Sequence, residues 1–159
     1  MSAFRIAPFM PGQEDQILGL ILPIQQQEFG VPITAADQPD LAAIQDVYQR
    51  GRGGFWVGLV GGGIAGSIGL IDFGSGGALR KMFLLKDHRG SGLAQALLDT
   101  LVEHAAAAGL PGLWLGTLPH MHAAHRFYER NGFVRVELET LPPDFPRVAV
   151  DTVFYRRNL

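Results

Sequence analysis

The sequence contains no cysteine, which excludes disulfides, thiolate metal sites and a cysteine nucleophile. Excess charge of either sign is missing as well. The formal net charge is −2 with no basic stripe, which argues against nucleic acid as a partner. No apolar run approaches the roughly 20 residues that cross a bilayer, and the opening MSAFRIAPF lacks the apolar stretch of a secretory signal. A cytoplasmic protein with no membrane partner is therefore expected. The chain is 47% apolar and 18% charged, a globular balance far from disorder. Its 159 residues suit one domain, residues 1–159.

Glycine is plentiful: 21 glycines and 10 prolines fall at the joints between apolar segments and mark tight turns. FRIAPF (residues 4–9) has the mix of a first strand. Residues 14–29 place Ile17, Leu18, Ile21 and Leu22 at helical spacing behind Glu14 and Asp15, and Pro23 is expected to kink or end that helix. Asp40 is expected to cap a second helix through Tyr48. From residue 55 the period changes: FWVGLV, IAGSIGLIDF and ALRKMFLL, split by glycine clusters, form a strand meander. A helix of about 19 residues follows, with Leu93, Leu97 and Leu101 on one stripe and Ala94, Leu98, Val102 and Ala105 beside it. LWLGT then forms a strand, HAAHRFYERN a short helix, and FVRVEL and AVDTVFYRRNL two closing strands around LPPDFPR. The fold class is mixed α/β, with seven strands, four helices and one right-handed crossover after the meander.

DHRGSGLAQALL (residues 87–98) sets a glycine loop against the longest helix. The first four N–H groups of a helix lack internal partners, and the aligned dipoles add roughly half a positive charge there. Gly90 and Gly92 clear side chains from those amides and Arg89 adds a formal charge, so the turn suits a phosphate or pyrophosphate. The P-loop pattern is absent because no lysine follows the second glycine. The dinucleotide pattern fails because Gly90-Ser91-Gly92 is followed by Ala94 and Gln95.

Arg89-Gly90-Ser91-Gly92-Leu93-Ala94 resembles the R/Q-x-x-G-x-G/A motif of the GNAT superfamily, the acyl-CoA-dependent N-acyltransferases. LRKMFLL before it looks like that family's central strand, and AAHRFYERNGF (residues 123–133) is similar to its second signature. The resemblance implies a mostly antiparallel sheet splayed between its two central strands, with acetyl-CoA as cosubstrate and no metal. It further implies that Met82, Phe83 and Leu84 offer backbone groups to the pantetheine arm, with a bulge near Leu85 and Lys86. The amides of Arg89, Gly90, Ser91, Gly92, Leu93, Ala94 and Gln95 would hold the pyrophosphate, and Tyr128 would protonate the departing thiolate. The implied reaction is direct acetyl transfer to a primary amine of a small molecule in a ternary complex. A homodimer is an assembly the resemblance allows.

The chain departs from the family where relatives carry acids: Ala78 opens the central strand and Gly116 ends the next one, while Met121 replaces an asparagine. Glu28, Asp72 or His120, or a water chain, remain as bases, and Glu28, Phe29, Asp37 and Phe145 as acceptor contacts. Two other readings stay open. The missing acids favour a non-catalytic acyl-CoA-binding or regulatory module, against which Tyr128 speaks. His120, His122 and His125 invite a histidine-based metalloenzyme, but no acid lies close in sequence to complete a hydrolytic zinc site.

Overall fold

The computed structural model describes residues 3–159. The chain runs through β1 (Arg5–Pro8), α1 (Glu14–Pro23), α2 (Ile44–Val47), β2 (Gly54–Val60), β3 (Gly63–Asp72) and β4 (Gly77–Leu84). It continues through α3 (Leu93–Ala107), β5 (Gly112–Thr117), α4 (His122–Arg130), β6 (Val134–Val136) and β7 (Val153–Asn158). The strands form one seven-stranded sheet in the order β1-β2-β3-β4-β5-β7-β6. All neighbours are antiparallel except the central pair, β4 and β5. That parallel pair touches only at Gly77↔Leu113 and Ala78↔Trp114 before the strands diverge. The mixed α/β class, the strand count and the central splay are those expected. Among the described residues, no helix is long and apolar enough to cross a membrane.

Each face of the sheet carries its own core, and strand periodicity sorts residues between them. In β2, Phe55 and Val57 join Ile17, Ile21, Ile44 and Tyr48 under α1 and α2. Trp56 between them joins Leu97, Leu101 and Ile68 under α3. The stripe Leu93, Leu97, Leu98, Leu101 and Ala105 of α3 is fully buried. It seats against two glycines: a Cβ on Gly58 would lie 2.6 Å from Leu93 Cδ1, and one on Gly66 3.0 Å from Leu97 Cδ1. This close approach holds the start of α3 beside the end of β4.

As expected, the regular α1 ends at Pro23, but the chain stays helical and widens into a π-helical turn at Ile24–Glu28, where Phe29 N–H reaches the Ile24 carbonyl at 3.1 Å. Several local expectations are corrected. Asp40 caps no helix; Pro39–Ala42 form a 3₁₀ turn, α2 is a single short turn, and the Asp40 carboxylate accepts from Tyr48 Oη at 2.6 Å. Helix α3 has 15 residues and begins at Leu93, since Gly92 precedes it at φ +92°, a left-handed conformation that glycine adopts without strain. β6 and the regular part of β7 are also shorter than the apolar runs suggested.

The bulge lies at Lys81–Met82 rather than at Leu85 and Lys86. Ser67 pairs with Phe83 and Gly69 with Arg80, so two β4 residues oppose Ile68 alone. Lys81 takes φ +56°, and the buried Ser67 hydroxyl donates to its carbonyl at 2.7 Å. Leu85 lies beyond the end of the strand, and Lys86–His88 form a 3₁₀ turn.

Candidate functional site

Beyond Ala78 the edge of β4 that faces β5 has no strand partner. The bulge turns β4 away from β5, and a cavity of about 630 Å3 fills the gap. β4 gives one wall, from Leu79 to Leu84. The end of β5 and the inner side of α4 give another, from Leu115 to Thr117 and at Tyr128. The segment after α1 closes over it with Gln25 and Phe29, and the chain before β7 adds Val150 and Asp151.

Met82, Phe83 and Leu84 all line this cavity. Phe83 and Leu84 pair with Ser67 and Gly66 across the opposite edge, so the splayed edge is open to an extended amide chain adding as a strand. At the end of that wall stand Arg89, Gly90 and Ala94. Space is open where a Gly90 Cβ would be. The Ala94 and Gln95 N–H groups bond nothing among the described residues, as the first turn of a helix requires. Ser91 Oγ donates to the His88 carbonyl at 2.6 Å and accepts from Leu93 N–H at 3.4 Å. Ser91, Gly92, Leu93 and Gln95 do not line the cavity. The Leu93 side chain is core, and Gln95 donates to Asp99 at 2.9 Å and to Asn131 at 2.8 Å.

Arg89 does not present an unpaired charge. Its guanidinium forms a two-point ion pair with Glu28 and also donates to the Leu84 carbonyl at 2.9 Å. The Arg89 hydrogen bond holds the Glu28 carboxyl below its ordinary range, which makes Glu28 a weak base. Asp72 is likewise placed outside the cavity, accepting from Arg52 Nε at 3.0 Å, Arg52 N–H at 2.9 Å and Gly74 N–H at 3.0 Å. These contacts, the Arg52 hydrogen bond first, depress its pKa from 3.8 to about 2. The sign follows directly: a depressed folded pKa gives stability that is present above 3.8 and lost as pH falls through about 2. Asp72→Asn should therefore destabilise the fold by about 1–2 kcal/mol at pH 7, after allowance for solvent screening. The difference between the two proteins should close between pH 4 and 2 in urea titrations.

Phe145 also lies outside the cavity, edge-on to Phe73 at 5.8 Å. His120 and His122 line it, with His120 tilted against Phe29 at 6.5 Å. His125 does not; its Nε2 meets the Leu118 carbonyl at 2.9 Å. Among the described residues, no group of three or more His, Asp or Glu side chains is gathered as a metal site.

Tyr128 is buried at 8% exposure, packed among Phe133, Phe127 and Tyr155. Its hydroxyl bonds no other group of the described residues, yet it is not sealed from the cavity. Burial, reinforced by the negative charge of Asp151, pushes its pKa far above the ordinary phenol value.

Asp151 escaped the sequence reading. A Cβ built on Gly116 would lie 2.7 Å from Asp151 Oδ2, so the Asp151 carboxylate occupies the space beside the strand end where the expected acid is missing. Burial raises its pKa above 3.8, opposed by the charges of Arg80, Lys81 and Arg147. No local motif marks it. It reaches Gly116 because β5 and β7 pair with Thr117 opposite Val153, a long-range register. The second missed group lies under the bulge: Lys81 Nζ donates to Gln38 Oε1 at 2.6 Å and sits 3.7 Å from Asp40 Oδ2. Gln38 and Gln25 exchange a reciprocal pair of hydrogen bonds at 2.8 and 2.9 Å. Lys81 thus enters the cavity wall already neutralised.

The family model described as "Acetyltransferase (GNAT) family" matches residues 20–133. A crystal structure of a GNAT-family acetyltransferase from Staphylococcus aureus Mu50 is 35% identical, with a TM-score of 0.95 over 99% of both chains. The PaiA N-acetyltransferase of Thermoplasma acidophilum, crystallised with coenzyme A, shares the fold with a TM-score of 0.76 at 10% identity over 99% of both chains. A mouse protein named "Probable N-acetyltransferase family 8 member 5" is 30% identical over 125 residues, covering 75% of this chain and 55% of its own. The chain spans about half the length of the curated relatives it matches.

Proposed function

The chain belongs to the GNAT acetyltransferase family, and from that premise we propose that it transfers an acetyl group from acetyl-CoA to a primary amine of a small molecule by direct attack. The observation that carries this reading is the unpaired edge of β4 leading straight to the open amides at the start of α3. That path fits an extended pantetheine arm ending in a pyrophosphate. The crystallised relative with coenzyme A supports the same cosubstrate, and the names of several relatives support nitrogen as the acceptor.

Acetyl-CoA supplies an activated acyl carbon with a thiolate leaving group. The amine lone pair forms the new C–N bond, the C–S bond breaks, and the electron pair leaves on sulfur. Backbone N–H groups near the bulge polarise the acyl oxygen. Asp151 accepts the amine proton, standing where the strand-end acid is absent. Tyr128 donates its proton to the leaving sulfur. These two steps are coupled, because the Asp151 charge helps hold the Tyr128 proton. Protonating Asp151 removes that charge and makes the phenol more acidic as the thiolate emerges. The positioning of both reactants beside one strand supplies much of the remaining rate.

Calorimetry with CoA, followed by thiol release from acetyl-CoA across an amine panel, tests the reading. Saturable binding and amine-dependent thiol release are expected. Binding without release under any amine would favour the acyl-CoA-binding module, and no binding would remove both.

A further inference from the structure

Four cations line the cavity, Arg80, Lys81, Arg89 and Arg130, against one acid, Asp151. Lys81 is held by Gln38 and Asp40, and Arg89 by Glu28. Arg130 is exposed at the far end of α4, with its guanidinium 6.0 Å from the Phe127 ring. Arg80 differs from all three. It is half-buried on β4 and takes part in no hydrogen bond or ion pair through its side chain among the described residues. Its neighbour Leu79 packs in the core under α3, so strand alternation turns Arg80 to the α1 face of the sheet, on the wall of the cavity that Asp151 also lines. It immediately precedes the bulge at Lys81–Met82.

A half-buried guanidinium facing a substrate pocket selects for charge. An acceptor carrying only an ammonium group would meet a like charge there. One carrying a carboxylate near its amine would meet a planar two-point donor. Building on the transferase reading above, we infer that the acceptor is an amino acid or a close analogue, with its carboxylate bound by Arg80 and its amine turned toward Asp151 and the thioester. The neutralised state of Lys81 and Arg89 makes Arg80 the selective group: those two cations keep their own counter-charges whichever acceptor enters.

The test compares α-amino acids with their amides and decarboxylated amines under saturating acetyl-CoA, for the native chain and for Arg80→Gln and Arg80→Lys. The native chain should prefer the acids by about 100-fold in kcat/KM. Arg80→Gln should shrink that preference to about threefold, chiefly through KM, and Arg80→Lys should keep an intermediate value. CoA affinity measured by calorimetry reports that each variant is folded. Equal use of acids, amides and amines by the native chain overturns the inference, as does an Arg80→Gln protein that keeps the preference. A protein that binds CoA and acetylates plain amines in preference leaves the transferase reading standing and this one fallen. No CoA binding at all removes the transferase reading itself.

Discussion

Replacing Tyr128 with phenylalanine should lower kcat about 100-fold while CoA affinity stays within about twofold. The hydroxyl bonds no other group of the described residues, so its removal strands no buried donor or acceptor. The ring keeps its packing on Phe133 at 5.6 Å and on Tyr155 at 6.1 Å. Stability should move by less than about 0.5 kcal/mol. The loss would then be kinetic, and confined to the step in which sulfur departs. A thioester whose thiol is already acidic needs less help from a donor, so acetylated thiols of lower pKa than CoA should recover part of the rate in the Phe variant. A Tyr128→Phe enzyme with unchanged kcat at saturating substrates, with chemistry shown to limit turnover, would remove Tyr128 from the mechanism.

Positions that act through their immediate neighbours were legible from the sequence. Leu93, Leu97 and Leu101 announce a buried helix face by spacing alone, and that face is buried. Gly90 and Gly92 sit before it in a turn whose need for positive φ is local. What stayed hidden depends on distant partners. Arg89 and Glu28 are 61 residues apart in sequence and meet only because the π-helical turn after Pro23 carries Glu28 over the end of β4. A charge read as open to a ligand is therefore already paired. Lys81 was read as an ordinary strand residue, since nothing in LRKMFLL signals a lysine at positive φ. The Ser67 hydroxyl that bonds its carbonyl comes from the neighbouring strand. Asp72 stands among the candidate bases in the sequence, and its tie to Arg52 crosses 20 residues.

Asp151→Asn is expected to lower kcat/KM about 1,000-fold without lowering the melting temperature. Burial raises the Asp151 pKa above 3.8, so the folded state disfavours its charge, and stability decreases as pH rises through the folded pKa. Asparagine removes that penalty, and the variant should melt at the same temperature as the native chain or higher at pH 7. Activity and stability would then move in opposite directions, as they do where a strained site serves function. The pH profile gives an independent readout. In the native enzyme kcat/KM should fall at low pH with a midpoint above the ordinary aspartate value, and that limb should vanish in Asp151→Asn. Relocating the acid makes the sharpest test. A side chain on Gly116 would collide with Asp151, its Cβ lying 2.7 Å from Oδ2 and 2.9 Å from the Asp151 Cβ. Gly116→Asp alone should therefore disturb the site. Gly116→Asp combined with Asp151→Gly brings a carboxylate to the same space from the other strand. That double variant should regain about tenfold or more over Asp151→Gly. A carboxylate restored to that space with no gain in rate, in a protein that still binds CoA, would mean that the amine proton leaves by another route.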